Sequence, residues 1–222
     1  MSNNGIKPED LVGKEVRGYK VIKPIGAGKF SIVFKAEKVD DGALIALKCI
    51  KIFDMTDAKQ REKWLKEVKL LQSLDHPSII RYLDSFIEDN DLYIAVEWAE
   101  KGDLKYIIKR AIQEDSHLDE NKIWEYISQM ASALQHMHEK RIMHRDLKPA
   151  NIFIDSDGTL KLGDLGLGRA MSSQTFEAYS RVGTPLYMSP EVLDGSGYDT
   201  KSDVWSLGCI AYELWCLKSP FK

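Results

Sequence analysis

The sequence has little cysteine, little proline, no excess of positive charge and no long run of apolar residues. Its three cysteines, Cys49, Cys209 and Cys216, are odd in number and lie in apolar surroundings. That favours reduced thiols over a disulfide framework and points to the cytoplasm or nucleus. A net charge of −3 gives no basic field for nucleic acid or an anionic membrane, so no nucleic-acid partner is expected. The longest apolar-rich stretch, about residues 204–217, is too short to cross a bilayer, and residues 1–10 lack the apolar centre of a targeting signal. No membrane span is expected. With 44% hydrophobic and 29% charged residues among 222, the chain is able to bury a core in one large or two small lobes.

What is present centres on His144-Arg145-Asp146-Leu147-Lys148-Pro149-Ala150-Asn151, which sets a base, two cations and an amide close together. Thirteen residues after Asn151 comes Asp164-Leu165-Gly166. Phosphoryl transfer rests almost wholly on positioning and electrostatics, and this set supplies both. The string resembles the catalytic loop of eukaryotic protein kinases. The resemblance implies Asp146 as the acceptor of the substrate hydroxyl proton, Asn151 and Asp164 as the Mg2+ ligands, and ATP as the phosphoryl donor. Lys148 implies the serine/threonine branch, where it neutralises charge on the transferring group.

Taken in order, residues 1–18 are polar and read as a flexible arm. Ile25-Gly26-Ala27-Gly28-Lys29-Phe30-Ser31-Ile32-Val33 is a glycine loop between two β-rich runs. A dinucleotide-binding glycine turn, the mark of a nucleotide-dependent oxidoreductase, opens a helix instead; a hairpin over ATP phosphates fits better. Ser31 stands where kinases usually carry a third glycine. Ala43 to Lys48 alternates as a strand, and Lys48 resembles the kinase lysine on the α and β phosphates, with Ala46 lining the same site. Its partner is expected on the helix after Asp54. Glu67 shares a face with Leu71 and Leu74, whereas Glu62 aligns with Lys66 and Lys69, so Glu67 is chosen.

The run from Asp91 to Leu104 passes from strand to turn to helix. By resemblance it is a hinge, with Glu97 and Ala99 offering main-chain bonds to adenine and Val96 at the gatekeeper position; an ordinary strand residue is the other reading of Val96. Ile123, Ile127, Met130, Leu134 and Met137 form a core stripe at helical spacing. His136 and His138, two apart on that helix, are expected to be ordinary helix histidines rather than metal ligands. Ile152-Phe153-Ile154 and Leu160-Lys161-Leu162 flank a turn and read as a hairpin leading to Asp164. Residues 171–187 lack periodicity and read as a loop.

Residues 182–191 resemble the segment that anchors a kinase activation loop, with Ser-Pro-Glu where Ala-Pro-Glu is usual. The closer resemblance is to the NIMA-related kinase (Nek) family, short members above all. It rests on 26–33, Ile52-Phe53-Asp54-Met55, Phe86-Ile87-Glu88-Asp89-Asn90 and Leu162 to Arg169. It implies Ser180 as an activating phosphoacceptor near Arg145, with Thr184 also in the regulatory segment. It places Tyr82 in a spine with Leu71, Leu165 and His144, where a phenol in need of a partner would turn inward and hold an inactive state. Protein substrates bearing Ser or Thr, an activating kinase or scaffold partner, and a link to microtubules and the spindle are implied as well.

The implied fold is α+β and bilobal. A small antiparallel-sheet N-lobe with one helix, about residues 19–97, precedes a mainly helical C-lobe, about residues 98–222, which is incomplete at its C-terminus. The last residues come 31 positions after Glu191, whereas kinases of this type continue through further helices, one carrying an arginine that pairs with this glutamate. The central helix, apolar on nearly all faces, is therefore expected to lose cover. The alternative to an active kinase is a catalytically weak fragment acting as a binding or dominant-negative module.

Overall fold

A computed structural model describes residues 8–28, 31–52, 62, 68–163 and 186–221. The chain divides into two compact units, Met1–Ser73 with Arg81–Trp98, and Leu74–Ile80 with Ala99–Lys222.

The first unit contains strands β1 (Glu15–Val16), β2 (Tyr19–Ala27), β3 (Ser31–Lys38), β4 (Leu44–Ile50), β5 (Tyr82–Glu88) and β6 (Asp91–Glu97), with period-two alternation clearest in β3 and β4. They form one antiparallel sheet in the order β1-β2-β3-β4-β6-β5. The β3–β4 turn closes on Gly42 at φ +72°, an angle glycine adopts without strain, while Asp41 accepts the Ala43 N–H at 3.0 Å. Successive side chains of a strand point to opposite faces. Ile45, Leu47 and Cys49 therefore enter a cluster with Val21, Phe34, Ala36, Phe86 and Tyr93. Ile50 falls on the other face with Leu92, Ile94 and Val68, and Leu71, Tyr82 and Val96 pack against them.

Residues 8–16, expected within a flexible arm, are instead a helical turn α1 (Pro8–Leu11) and strand β1. Leu11 and Val16 bury in the first cluster, and the Gly13 and Val21 N–H groups donate to Val21 and Lys14 carbonyls at 2.8 and 2.9 Å. Two apolar residues in a polar stretch are enough to dock it.

The second unit holds helices α2 (Leu104–Gln113) and α3 (Glu120–Glu139), the hairpin β7 (Ile152–Ile154) and β8 (Leu160–Leu162), and helices α4 (Pro190–Leu193) and α5 (Thr200–Cys216). Each long helix starts on an aspartate that accepts N–H groups of its first turn: Asp103, Asp119 and Asp199. The α3 stripe buries Ile123, Met130, Leu134 and Met137. Residues 78–80 run beside β8, the Ile80 N–H donating to Leu162 and the Leu162 N–H to Ser78. Along α5, Ser202, Asp203, Ser206, Cys209, Ile210 and Leu214 are buried, whereas Val204, Trp205, Tyr212 and Trp215 are exposed, so the described elements cover one side of this largely apolar helix. Among the described residues no helix is long and apolar enough to cross a membrane.

Candidate active site

The candidate catalytic loop, residues 144–151, lies within the second unit, between α3 and β7. Its aspartate is tightly held. Lys148 Nζ donates to Asp146 Oδ1 at 3.1 Å and to Oδ2 at 2.9 Å. Asn151 Nδ2 donates to the Asp146 carbonyl and to Oδ2, both at 2.8 Å. A 3-10 turn, Pro149–Asn151, makes this possible: proline presets its φ at the first position, and the Asn151 N–H closes on the Lys148 carbonyl at 2.9 Å. With its Nδ2 committed to Asp146, the Asn151 amide presents Oδ1 as its remaining polar atom, a hard oxygen of the kind Mg2+ takes. The donor chemistry fits. Asp164 lies outside the described residues.

The residue before it is nonetheless informative. The Gly163 N–H donates to the Asn151 carbonyl at 3.0 Å, and a Cβ there would meet Phe153 Cε2 at 2.7 Å and Ile80 Cγ1 at 3.0 Å. Only glycine fits without displacing a neighbour, so the chain leaves β8 along a fixed path.

A second layer holds the loop backbone. Asp203 in the first turn of α5 is fully buried. It accepts the His144 N–H at 3.0 Å on Oδ2 and the Arg145 N–H at 3.1 Å on Oδ1. His138 Nε2 lies 2.7 Å from Oδ2, and the Tyr198 hydroxyl donates to Oδ1. Arg145 sits at φ +68°, a left-handed conformation rare outside glycine, so the bond to its N–H holds a strained step just before Asp146. Sequence reasoning assigned no role to Asp203 or Tyr198.

Beyond the loop, the Tyr187 hydroxyl donates to Glu213 Oε2 at 2.5 Å and the Ser206 hydroxyl to the Tyr187 carbonyl at 2.7 Å, pinning residues 186–189 to α5. Glu191, expected to pair with an arginine, accepts the Ser202 hydroxyl at 2.6 Å. The neighbouring hydroxyls of Ser189 and Ser202 hold its carboxyl below the usual carboxylate range.

In the first unit, Lys48 lies on β4 opposite Val33 and Ile94, on the face that carries Ile50 and Ala46. Val96 pairs with Ala46 and is half-buried. Of the glycine loop, Ile25, Gly26 and Ala27 close β2 and Ser31, Ile32 and Val33 open β3. The Gly28 N–H donates to the Ser31 carbonyl at 2.7 Å, and a Cβ on Gly28 would lie 3.1 Å from Ser31 Oγ. The Glu97 N–H donates to the Arg81 carbonyl at 3.0 Å, and its Oε1 accepts the Arg81 N–H at 2.7 Å. Ala99 belongs to the second unit and is buried. The Tyr82 hydroxyl finds partners within its own unit, donating to Ser85 Oγ at 2.7 Å and accepting from Gln72 Nε2 at 3.0 Å. Lys29, Phe30, Glu67, Ser180 and Thr184 lie outside the described residues.

A comparison with protein families matches the Protein kinase domain over residues 19–222. The chain belongs to the protein kinase family. Its relatives include Serine/threonine-protein kinase Nek2 of Homo sapiens, 40% identical over 210 residues, which are 91% of this chain and 47% of that protein. Probable serine/threonine-protein kinase nek2 of Dictyostelium discoideum is 39% identical over 209 residues, 92% of this chain and 50% of the relative. G2-specific protein kinase nimA of Emericella nidulans is 36% identical over 237 residues, 94% and 34% respectively. The family resemblance read from the motifs is thus the NIMA-related one, and the chain spans half or less of the length of these relatives.

Proposed function

We propose that this chain is an ATP-dependent serine/threonine protein kinase. The reading is carried by Asp146, whose carboxylate is fixed on both oxygens by Lys148 and Asn151. Asp146 orients the attacking Ser or Thr hydroxyl of a protein substrate and accepts its proton. Lys148 places positive charge beside the base, where charge builds on the transferring group. Asn151, with Asp164, holds Mg2+; the bound metal and ATP supply charge neutralisation and the γ-phosphoryl group. Lys48, oriented by Glu67, contacts the α and β phosphates. The 25–33 hairpin covers the phosphates, and Ala46, Glu97 and Ala99 receive the adenine.

Regulation is assigned to Ser180. A phosphate there adds about −1.5 to −2 of charge for Arg145 to pair with, and Thr184 belongs to the same segment. An activating kinase or scaffold partner and a cytoplasmic or nuclear location, at microtubules or the spindle, follow from the family. The test offers Mg2+-ATP with Ser-, Thr- and Tyr-containing peptides to the purified chain. Phosphate on Ser or Thr alone is expected. ATP binding without transfer to any peptide favours a binding module instead.

A further inference from the structure

The catalytic loop has a positioning group that lies outside it in sequence. Asp203 Oδ1 accepts two donors, the Arg145 N–H and the Tyr198 hydroxyl, while Oδ2 accepts the His144 N–H and meets His138 Nε2. The carboxylate is fully buried, so its charge is stabilised by these donors rather than by water. Tyr198 comes from the segment between α4 and α5, adjacent to the α5 cap at Asp199. The same oxygen that holds the left-handed Arg145 is therefore aimed by a side chain that touches none of the reacting groups. Burial and the charge of Asp203 push the Tyr198 hydroxyl pKa up, which keeps the hydroxyl protonated and a donor at every working pH.

We propose that Tyr198 is a positioning residue for phosphoryl transfer: its hydroxyl fixes Asp203 Oδ1, Oδ1 fixes the Arg145 N–H, and that bond sets the step that aims Asp146. The proposal rests on the kinase reading for its effect on turnover but not for its effect on the loop.

The experiment is Tyr198→Phe in the full chain, which keeps the ring and removes one oxygen. Residue-resolved amide exchange is read at His144 and Arg145, with amides of α3 as internal reference, beside kcat and KM for ATP and peptide. Exchange is expected to rise several-fold at the loop and not in α3. In parallel kcat falls on the order of tenfold, the size of one hydrogen bond to a charged group, with both KM values within about twofold. A merely structural role would lower the melting temperature and leave loop exchange and kcat per folded molecule as in the parent. His138→Phe serves as a second variant; it acts on Oδ2 and is expected to loosen His144 more than Arg145. Unchanged loop exchange in Tyr198→Phe, or unchanged kcat beside an active parent, overturns the proposal. A parent that transfers no phosphate refutes the kinase reading instead, and the exchange arm still decides the role of Tyr198.

Discussion

At the scale of single residues, Gly163 shows how little room the site leaves. A methyl group there would fall 2.7 and 2.8 Å from the Phe153 ring and 3.0 Å from Ile80. Overpacking of this kind costs about 1–3 kcal/mol, so Gly163→Ala is expected to lower the melting temperature by several degrees and to loosen the path from β8 to Asp164. Calorimetry checks it, and Gly163→Ala/Phe153→Leu should recover most of the loss; a single variant as stable as the parent would show that the ring moves aside freely. The sequence marked the loop residues because their chemistry is spelled out in order: a carboxylate, a lysine and an asparagine within six positions. It did not mark Asp203 or Tyr198, because a buried carboxylate satisfied by backbone N–H groups 58 and 59 residues away leaves no local pattern. The Tyr82 hydroxyl was likewise expected to seek a partner inward, and Ser85 and Gln72 meet that need within its own unit.

At the scale of elements, period decides what is legible. The α3 stripe and the β7–β8 hairpin follow from spacing alone, and their observed bounds agree with it to a residue or two. The α1–β1 segment escaped notice, since a strand of two residues carries no alternation. Loss of cover along α5 was expected, but which side stays buried was not legible, because apolar composition does not say which side is covered.

Residues 74–80 join α3 through His76, whose Nε2 lies 3.0 Å from Ser132 Oγ while its Nδ1 accepts the Ser78 N–H at 3.0 Å. Burial, then the neighbouring His136, lowers the His76 pKa below the ordinary 6.5, with Asp75 opposing. The unfolded chain therefore takes up this proton at higher pH than the folded one. The contribution of neutral His76 is complete above about pH 6.5 and drains as pH falls below it. Protonation at Nδ1 also replaces an acceptor with a donor facing Ser78. Urea unfolding midpoints should drop between about pH 7 and about pH 5, and His76→Asn, which keeps an acceptor but cannot take the proton, should flatten that drop. An equal pH dependence in both proteins would remove His76 from the account.

At the scale of the whole molecule, the proposed machinery is divided between the two units: Lys48 and the glycine hairpin on a sheet, Asp146 and Asn151 on a loop pinned to α5. The sequence located the change from sheet to helices near Glu97, but it did not show that residues 74–80, which lie before that point, belong to the second unit. Sequence proximity to α-helical residues 68–72 concealed it, whereas pairing with β8 reveals it. Activity of the whole chain is expected to depend on Ser180. Ser180→Ala should cut turnover severalfold or more, and mass spectrometry of active protein should find phosphate at that serine; full activity with Ser180 unmodified would exclude the switch.

The central claim is that Asp146 serves phosphoryl transfer while other residues hold the nucleotide. The most direct measurement compares Asp146→Asn with the parent for ATP affinity by calorimetry and for single-turnover transfer to a Ser/Thr peptide at saturating Mg2+-ATP. The variant keeps the shape of the side chain and removes the base. The account predicts ATP affinity within a few-fold of the parent and transfer reduced by roughly 10²–10⁴, the range general base catalysis contributes. Transfer at the parental rate with saturating ATP would contradict it.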